Sequence, residues 1–526
     1  MSELISRMCG IWAYLRRNSA KQIDYANAVK GVNLLKARGP ESTYIQELPS
    51  GIWGFTRLAI NGLTYNGMQP FFLLENSMYW MCNGEIYNYS ILKQRHSIPP
   101  GSGSDCEIIG HMYCSVNEHS VDLARSLDGE FAFILRDEER GVTIVARDPY
   151  GVRPLFWGED EGALFFGSER KSIQEYVPKT YAFPPGEVWT IYDTKIVKER
   201  FHTLPWVKLP LTVDAMPLIR SALEEAVIKR VLNSERPIAA LLSGGLDSSL
   251  VCAIAHRALT MNNTPLHTFS IGLEGSTDIE YARKAANYIG SVHTEVIVTA
   301  DEMFAAIPQV IHDIESYDIT TVRASVGNWL VARYIKNNSD CKVILNGDGS
   351  DEVWGSYKYF RKAPREEFDP ECRRLLEEIH LYDVLRSDRS ISSHGLEPRT
   401  PFLDQQFVAL ALAVQTEDRR NDKWFLRKAF ESSNLLPDSV LWREKEAFSD
   451  GVSSVAKSWY QEIQDRVNLS GWEEDAKRFT PVPPTAEAYW YRKIFETHYP
   501  NVGDLWPYWM PRWSPETTDP SARTLV

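Results

Sequence analysis

The chain has 526 residues, more than one hydrophobic core usually holds, so two or three domains are expected. Apolar residues make up 44% and charged residues 24%, an ordinary globular balance, and a net charge of −13 offers no general surface to nucleic acid or to an anionic membrane. Seven cysteines, odd in number and with no CxxC pair, argue against a disulfide framework or a zinc site and for reduced thiols in the cytoplasm; residues 1–7 are too polar for a signal peptide, and no apolar run reaches membrane length.

The first two hundred residues predict a β-rich unit. Short aromatic and β-branched runs at 53–59, 79–83, 131–137, 143–148 and 164–168 read as strands, with Asn-Gly and Asp-Gly turn formers between them. Helical spacing at 24–38 and 105–113 predicts helices outside stacked antiparallel sheets. A Pro-containing stretch, 202–211, marks the expected boundary. Beyond it Leu218, Ile219, Ala222, Leu223, Ala226, Val227 and Val231 share one helical face. Strand 238–242, helix 247–259, strand 267–271, helix 278–289 and strand 293–298 then alternate. That order predicts parallel strands with right-handed crossovers and a ligand site at their carboxyl ends. The tail 511–526 is expected to be weakly ordered.

Strand 238–242 runs into Ser243, Gly244, Gly245, Leu246, Asp247, Ser248 and Ser249 and then a helix. Paired glycines admit close approach of a ligand, and the helix start supplies free N–H groups and a positive dipole end, which suits phosphate. The loop lacks the Lys of a Walker A motif, so it is better suited to a departing pyrophosphate than to γ-phosphoryl transfer. Asp247 offers a carboxylate to Mg2+. A tight turn with an N-cap Asp is the plainer alternative. The strand 343–345 ends in Asn346, Gly347, Asp348, Gly349, Ser350, Asp351 and Glu352, whose acidic groups could complete a metal site opposite Asp247.

Met8, Cys9, Gly10 and Ile11 read as an amino-terminal nucleophile awaiting removal of its methionine, with its own α-amine as base. Arg57 suits an α-carboxylate, Asp105 an α-ammonium, and Asn83 with Gly84 an oxyanion. On Cys9 alone, a buried free cysteine is the plainer reading.

Together these motifs resemble the glutamine-dependent asparagine synthetases over nearly the whole chain. The likeness rests on Met8 to Ile11, Arg38-Gly39-Pro40, Arg57-Leu58, Asn83-Gly84-Glu85-Ile86-Tyr87-Asn88, Ser104-Asp105, Arg147-Asp148, the Ser243 and Gly347 loops, Thr320 to Ser325, Glu397 to Asp404 and Trp442 to Glu446. The closing Asp519 to Leu525 looks like the eukaryotic branch. The resemblance implies an α/β multidomain protein. An N-terminal αββα sandwich of the Ntn-hydrolase kind, a class II glutamine amidotransferase, would span 9–200. A doubly wound parallel α/β sheet of the PP-loop ATP pyrophosphatase kind would span 211–526.

The resemblance also implies that Cys9 attacks L-glutamine and releases ammonia. Arg57, Leu58, Ala59, Ile60, Asn61, Asn83, Gly84, Glu85 and Asp105 would bind the glutamine. ATP would adenylate L-aspartate to β-aspartyl-AMP, and ammonia arriving through an internal tunnel would displace AMP. Leu242, Ser243, Gly244, Gly245, Asp247, Ser248, Ile271, Asn346 and Gly347 would form the ATP site, with Mg2+ on Asp247 and Asp351. Thr320 and Arg323 would bind substrate or pyrophosphate, Asp348 would govern adenylate formation, and Lys445 would neutralise charge at the α-phosphate. No nucleic-acid or membrane partner is implied, and a homodimer is left open.

Three departures stand out. Residues 1–7 precede Met8; if retained, they remove the free amine at Cys9 and leave only external ammonia as nitrogen donor, so either Met8 is expected to be the working start or the segment is expected to be trimmed. Asp348 stands where some relatives have Glu, and Asn346 where Ser is more usual. The rivals are an adenylating enzyme of the β-lactam synthetase kind, which lacks the thiol and its pocket, and a non-catalytic relative, which would have lost the acidic cluster.

Overall fold

A computed structural model of the chain describes residues 9–17, 23–74, 77–99, 101–117, 119–444, 457–467 and 469–521. The N-terminal part holds two six-stranded antiparallel sheets. One runs Tyr181–Ala182, Phe156–Asp160, Ala163–Gly167, Gly10–Leu15, Gly51–Arg57 and Ser42–Leu48. The other runs Ile196–Arg200, Glu187–Ile191, Val142–Arg147, Gly129–Asp137, Met78–Ile86 and Phe71–Leu73.

Period-two alternation explains the stacking. In Gly10–Leu15, Ile11, Ala13 and Leu15 enter the core between the sheets, where Trp53, Tyr79, Met81, Ile134, Val145 and Trp189 meet them. Trp12 and Tyr14 point the other way, under helix Tyr25–Asn33. Helices Tyr89–Arg95, Ile108–Ser115 and Ser120–Ser126 lie on the far face of the second sheet. The layers are therefore α, β, β, α, as the resemblance implied. The expected helix 105–113 opens as a 3-10 turn, Asp105–Glu107, before becoming α-helical.

After a coil through 201–210, helix Ala215–Leu232 leads into a five-stranded parallel sheet. Its spatial order is Val292–Ile297, His267–Gly272, Ile238–Leu241, Val343–Leu345, Glu397–Arg399. Counted along the chain the order is 3-2-1-4-5, a doubly wound sheet whose direction of winding reverses at Ile238–Leu241. Apolar clusters cover both faces. The edge strand Glu397–Arg399 was not foreseen, because Pro398 breaks the pattern of a strand; an edge tolerates the missing N–H.

The tail also departs from expectation. Asp519 and Ser521 are buried, because Asp519 is paired with Arg323 inside the molecule. Among the described residues no helix is long and apolar enough to cross a membrane.

Charge pairs tie the two halves together. Arg38 reaches Asp388 at 2.8 Å, Arg230 reaches Glu130 at 2.9 Å, and Arg399 approaches Glu85 at 3.3 Å. All six side chains are buried, where an ion pair persists only if hydrogen bonds satisfy it.

Candidate functional site

Two groups of predicted residues assemble in two places. In the N-terminal half, Cys9 sits at the mouth of strand Gly10–Leu15 and donates its Sγ–H to the carbonyl of Leu58 at 3.3 Å. Arg38 Nε donates to the Cys9 carbonyl at 3.1 Å. Burial pushes the thiol far above its usual pKa; the Leu58 contact and the Arg57 guanidinium oppose this, and Glu397 and Glu85 add to it. The resting sulfur is thus a protonated thiol that needs a base.

Arg57 closes the adjoining loop, donating to the carbonyls of Thr64 at 2.7 Å and Gly62. Leu58, Ala59 and Ile60 are buried, and their carbonyls face Cys9, Arg236 and the amide of Glu235. Asn61 Nδ2 donates to Glu85 at 2.7 Å. Asn83 is fully buried, and neither atom of its side-chain amide has a hydrogen-bond partner. Such an orphan is costly unless a ligand completes it, and it is what an oxyanion donor looks like before substrate arrives. Gly84 follows with φ +141°, and a Cβ there would lie 2.0 Å from the Glu130 carbonyl, so only glycine fits. Asp105 accepts from the amide of Ile86 at 2.6 Å, while burial, with Glu397 adding to it, lifts its carboxyl to about 6. Burial also raises Glu85, with Asp105 and Glu397 as neighbours of like charge.

In the C-terminal half, a cavity of about 300 Å³ opens at the carboxyl ends of the parallel strands. The loop after strand Ile238–Leu241 and the loop after Val343–Leu345 meet there, where the winding of the sheet reverses. Gly244 has φ +72°, and a Cβ on it would strike the main chain of Tyr281 at 2.3 Å. A Cβ on Gly347 would come within 2.9 Å of the Ser248 amide, so this second glycine lets the two loops touch. Helix Leu246–Thr260 starts at Gly245 with no side-chain cap, which leaves its first N–H groups for a ligand. Ser243 Oγ and Ser248 Oγ lie 3.0 Å apart, beside them.

The predicted Leu242, Ser243, Gly245, Asp247, Ser248, Ile271, Asn346, Gly347, Asp348, Asp351, Thr320 and Arg323 all line this cavity. Gly244 shapes the loop from behind. Asn346 donates to Ser387 Oγ at 2.5 Å, and its amide bonds the Arg399 carbonyl at 3.2 Å. Burial raises the Asp348 carboxyl, while Arg386, at 2.8 Å, opposes the shift. Thr320 Oγ1 donates to Asp318 at 2.7 Å. Arg323 is fully engaged on one side, bonded to both oxygens of Glu487 and both of Asp519 at 2.6–3.0 Å.

Lys445, together with Met8, residues 448–451 and residues 522–525, lies outside the described residues.

Sequence reasoning missed several cations of the cavity. Lys423 Nζ lies 2.5 Å from Asp247 and 2.6 Å from Asp351. Burial works against its charge, yet the two carboxylates raise it above the usual lysine value. Arg443 bonds Asp278 at 2.9 Å and the Ser243 carbonyl at 3.2 Å. The run Trp442 to Glu446 had singled out Arg443 by position, without a role. Lys423 carried no signal, because its left-handed backbone, φ +60°, is invisible in sequence.

The chain thus combines a thiol and an orphaned buried amide in one half with a phosphate-shaped loop and paired carboxylates in the other. Comparisons with known proteins fit both halves. The glutamine amidotransferase domain model matches residues 8–204, and the asparagine synthase model matches residues 218–371 and 362–520. The chain is 42% identical to the glutamine-hydrolyzing asparagine synthetase of Gallus gallus, over 98% of each chain. It is 41% identical to that of Rattus norvegicus and 40% to that of Homo sapiens, each over 99% of both chains. On this likeness over the full length, the chain belongs to the glutamine-hydrolyzing asparagine synthetase family.

Proposed function

We propose that this chain makes L-asparagine from L-aspartate, ATP and the amide nitrogen of L-glutamine, as a cytoplasmic carbon–nitrogen ligase. Residues 9–200 form the glutaminase domain and residues 211–526 the synthetase domain. The observation that carries the reading is the meeting of the Ser243–Ser249 and Asn346–Glu352 loops where the parallel sheet reverses, in one chain with a half-buried thiol at Cys9 and a buried, unpaired amide at Asn83.

In the glutaminase half, Arg57 and Asp105 take the α-carboxylate and α-ammonium of glutamine. Cys9 Sγ attacks the amide carbon, its proton passing to the chain's own α-amine once Cys9 is the first residue. Asn83 Nδ2 and the Gly84 amide hold the developing oxyanion. With residues 1–7 retained, the amine is absent and the chain uses ammonia alone.

In the synthetase half, the aspartate side-chain carboxylate attacks the α-phosphate of ATP. The helix start behind Gly245 and the hydroxyls of Ser243 and Ser248 hold the departing pyrophosphate. Asp247 and Asp351 suit Mg2+, since two carboxylates already share one cation here, and Mg2+ completes its shell from phosphate and water oxygens. When bound, the metal neutralises phosphate charge. Arg323 and Thr320 face the anionic substrate, and Lys445 is assigned to the α-phosphate.

The test is release of AMP and pyrophosphate by the purified chain with aspartate and either glutamine or ammonium. Aspartate-dependent AMP with both nitrogen sources is the expected result. No aspartate-dependent AMP with either would overturn the reading.

A further inference from the structure

The ammonium of Lys423 bridges the two carboxylates assigned above to magnesium, 2.5 Å from Asp247 Oδ2 and 2.6 Å from Asp351 Oδ1. Three observations make this more than a surface ion pair. Lys423 is only 3% exposed, although it comes from the start of helix Trp424–Glu431, far along the chain from both acids. Its backbone and that of Asp422 are both left-handed, at φ +60° and +43°, a conformation that is strained for non-glycine residues and clusters at functional sites. The acids are themselves steered, Asp247 Oδ1 by the Ser350 hydroxyl at 2.7 Å and Asp351 Oδ1 by the Ser356 hydroxyl at 2.5 Å. The gap between the two carboxylates is therefore built, and a cation of the chain fills it.

We propose that Lys423 is a resident counter-cation that occupies the divalent-metal position until the metal displaces it. The inference rests on the metal reading given above. The ammonium between these carboxylates carries half the charge of a divalent ion, so such an ion competes for the same oxygens. An ion on the same two oxygens and an ammonium between them are like charges competing for one place. Among the described residues no group of three or more His, Cys, Asp or Glu side chains could hold a metal, so these two carboxylates cannot enclose one without further donors. Lys423 thus partly neutralises two half-buried acids while the cavity is without ligand, and makes metal binding depend on a partner that offsets its removal, such as the phosphates of ATP. A lysine suits the task, because its flexible four-carbon stem lets the head withdraw.

The probe is Mn2+ without nucleotide, titrated into the full chain and followed by electron paramagnetic resonance. Lys423→Met is expected to bind Mn2+ at least about 10-fold more tightly than the parent, equivalent to about 1.4 kcal/mol. Lys423→Arg, which keeps the charge, should stay near the parent. Thermal unfolding supplies a second measurement: Lys423→Met should melt lower than the parent without metal and recover with Mn2+. Equal or weaker binding by Lys423→Met overturns the inference while leaving the metal site standing. Mn2+ binding to neither form, even with ATP present, overturns the metal reading as well. A Lys423→Met chain that fails to fold and is not recovered by Mn2+ also overturns the inference.

Discussion

In the glutamine pocket most of the functional groups lean on the main chain, Asn61 and Glu85 excepted. Cys9 rests on the Leu58 carbonyl, Arg57 on those of Gly62 and Thr64, Asp105 on the Ile86 amide, and Asn83 on nothing. In the synthetase cavity they lean on one another. Lys423 holds Asp247 and Asp351, Arg386 holds Asp348 and Asp383, Arg443 holds Asp278, and Arg323 holds Glu487 and Asp519. A small zwitterion with no net charge can enter the first kind of site by filling bonds left open. A highly charged nucleotide entering the second must exchange partners, so its binding energy is partly spent on breaking pairs and moving side chains. The first arrangement is that of a preformed site; the second is that of a site which must exchange partners to admit its ligand.

The largest effect that separates the halves is Cys9→Ala. Glutamine-supported asparagine formation should fall at least about 1,000-fold, while ammonium-supported formation stays near the parent rate, because the sulfur reacts with glutamine only. Assaying both nitrogen sources side by side checks it. Glutamine use surviving in the variant would remove the thiol from the mechanism. The parent chain, cut so that Cys9 is its first residue, must use glutamine for the comparison to be valid.

How well each half could be read in advance follows the same division. The preformed site was legible because its requirements are backbone requirements. Gly84 must be glycine beside Asn83 in strand Met78–Ile86, and in the other half the backbone of the Ser243 to Ser249 loop, which must join a strand to a helix, is legible for the same reason; each leaves a local signature. The parallel sheet was legible from its alternating apolar runs, apart from Glu397–Arg399, where Pro398 hid an edge strand. The exchanging partners were not legible. Lys423, Arg386 and Asp519 lie 176, 38 and 196 positions from Asp247, Asp348 and Arg323, and nothing local marks a long-range ion pair. The buried tail was misread for that reason: its anchor is Arg323, in helix Ile319–Asn338.

A smaller and graded effect should appear in pH. Burial lifts the Asp105 carboxyl from an ordinary 3.8 to about 6, so the folded chain holds this proton more tightly than the unfolded chain does. Stability from this group is complete below about pH 4 and is lost as pH rises towards 6. Function runs the other way, because only the carboxylate can hold an α-ammonium. The KM for glutamine should rise by up to about tenfold for each unit that pH falls below 6, with the KM for ammonium unaffected. Asp105→Asn should abolish this pH slope, raise the KM for glutamine at pH 7 and raise the melting temperature at pH 7 more than at pH 4. A KM for glutamine that is flat from pH 5 to 7 would remove Asp105 from ammonium binding.

The smallest effect tests whether the cavity truly binds by exchange. Glu487 alone balances the charge of Arg323, and Tyr491 and Gln464 satisfy its remaining oxygen positions at 2.7 and 2.6 Å. Asp519 is a second carboxylate on the same guanidinium, carried by a tail whose Pro520 and Ser521 form part of the cavity wall. Two carboxylates thus share this one guanidinium, beside a cavity proposed for anionic substrates. Asp519→Asn keeps the shape of the tail and removes one of these two charges. With ammonium as nitrogen source, the KM for aspartate or for ATP should fall about two- to fivefold and kcat should change by less than about twofold, the scale expected of one charge pair partly screened by solvent. Steady-state AMP release at varied aspartate and ATP measures both. If either KM rises instead, Asp519 serves to aim Arg323 rather than to compete for it, and this corner of the cavity belongs with the preformed pocket at the other end of the chain.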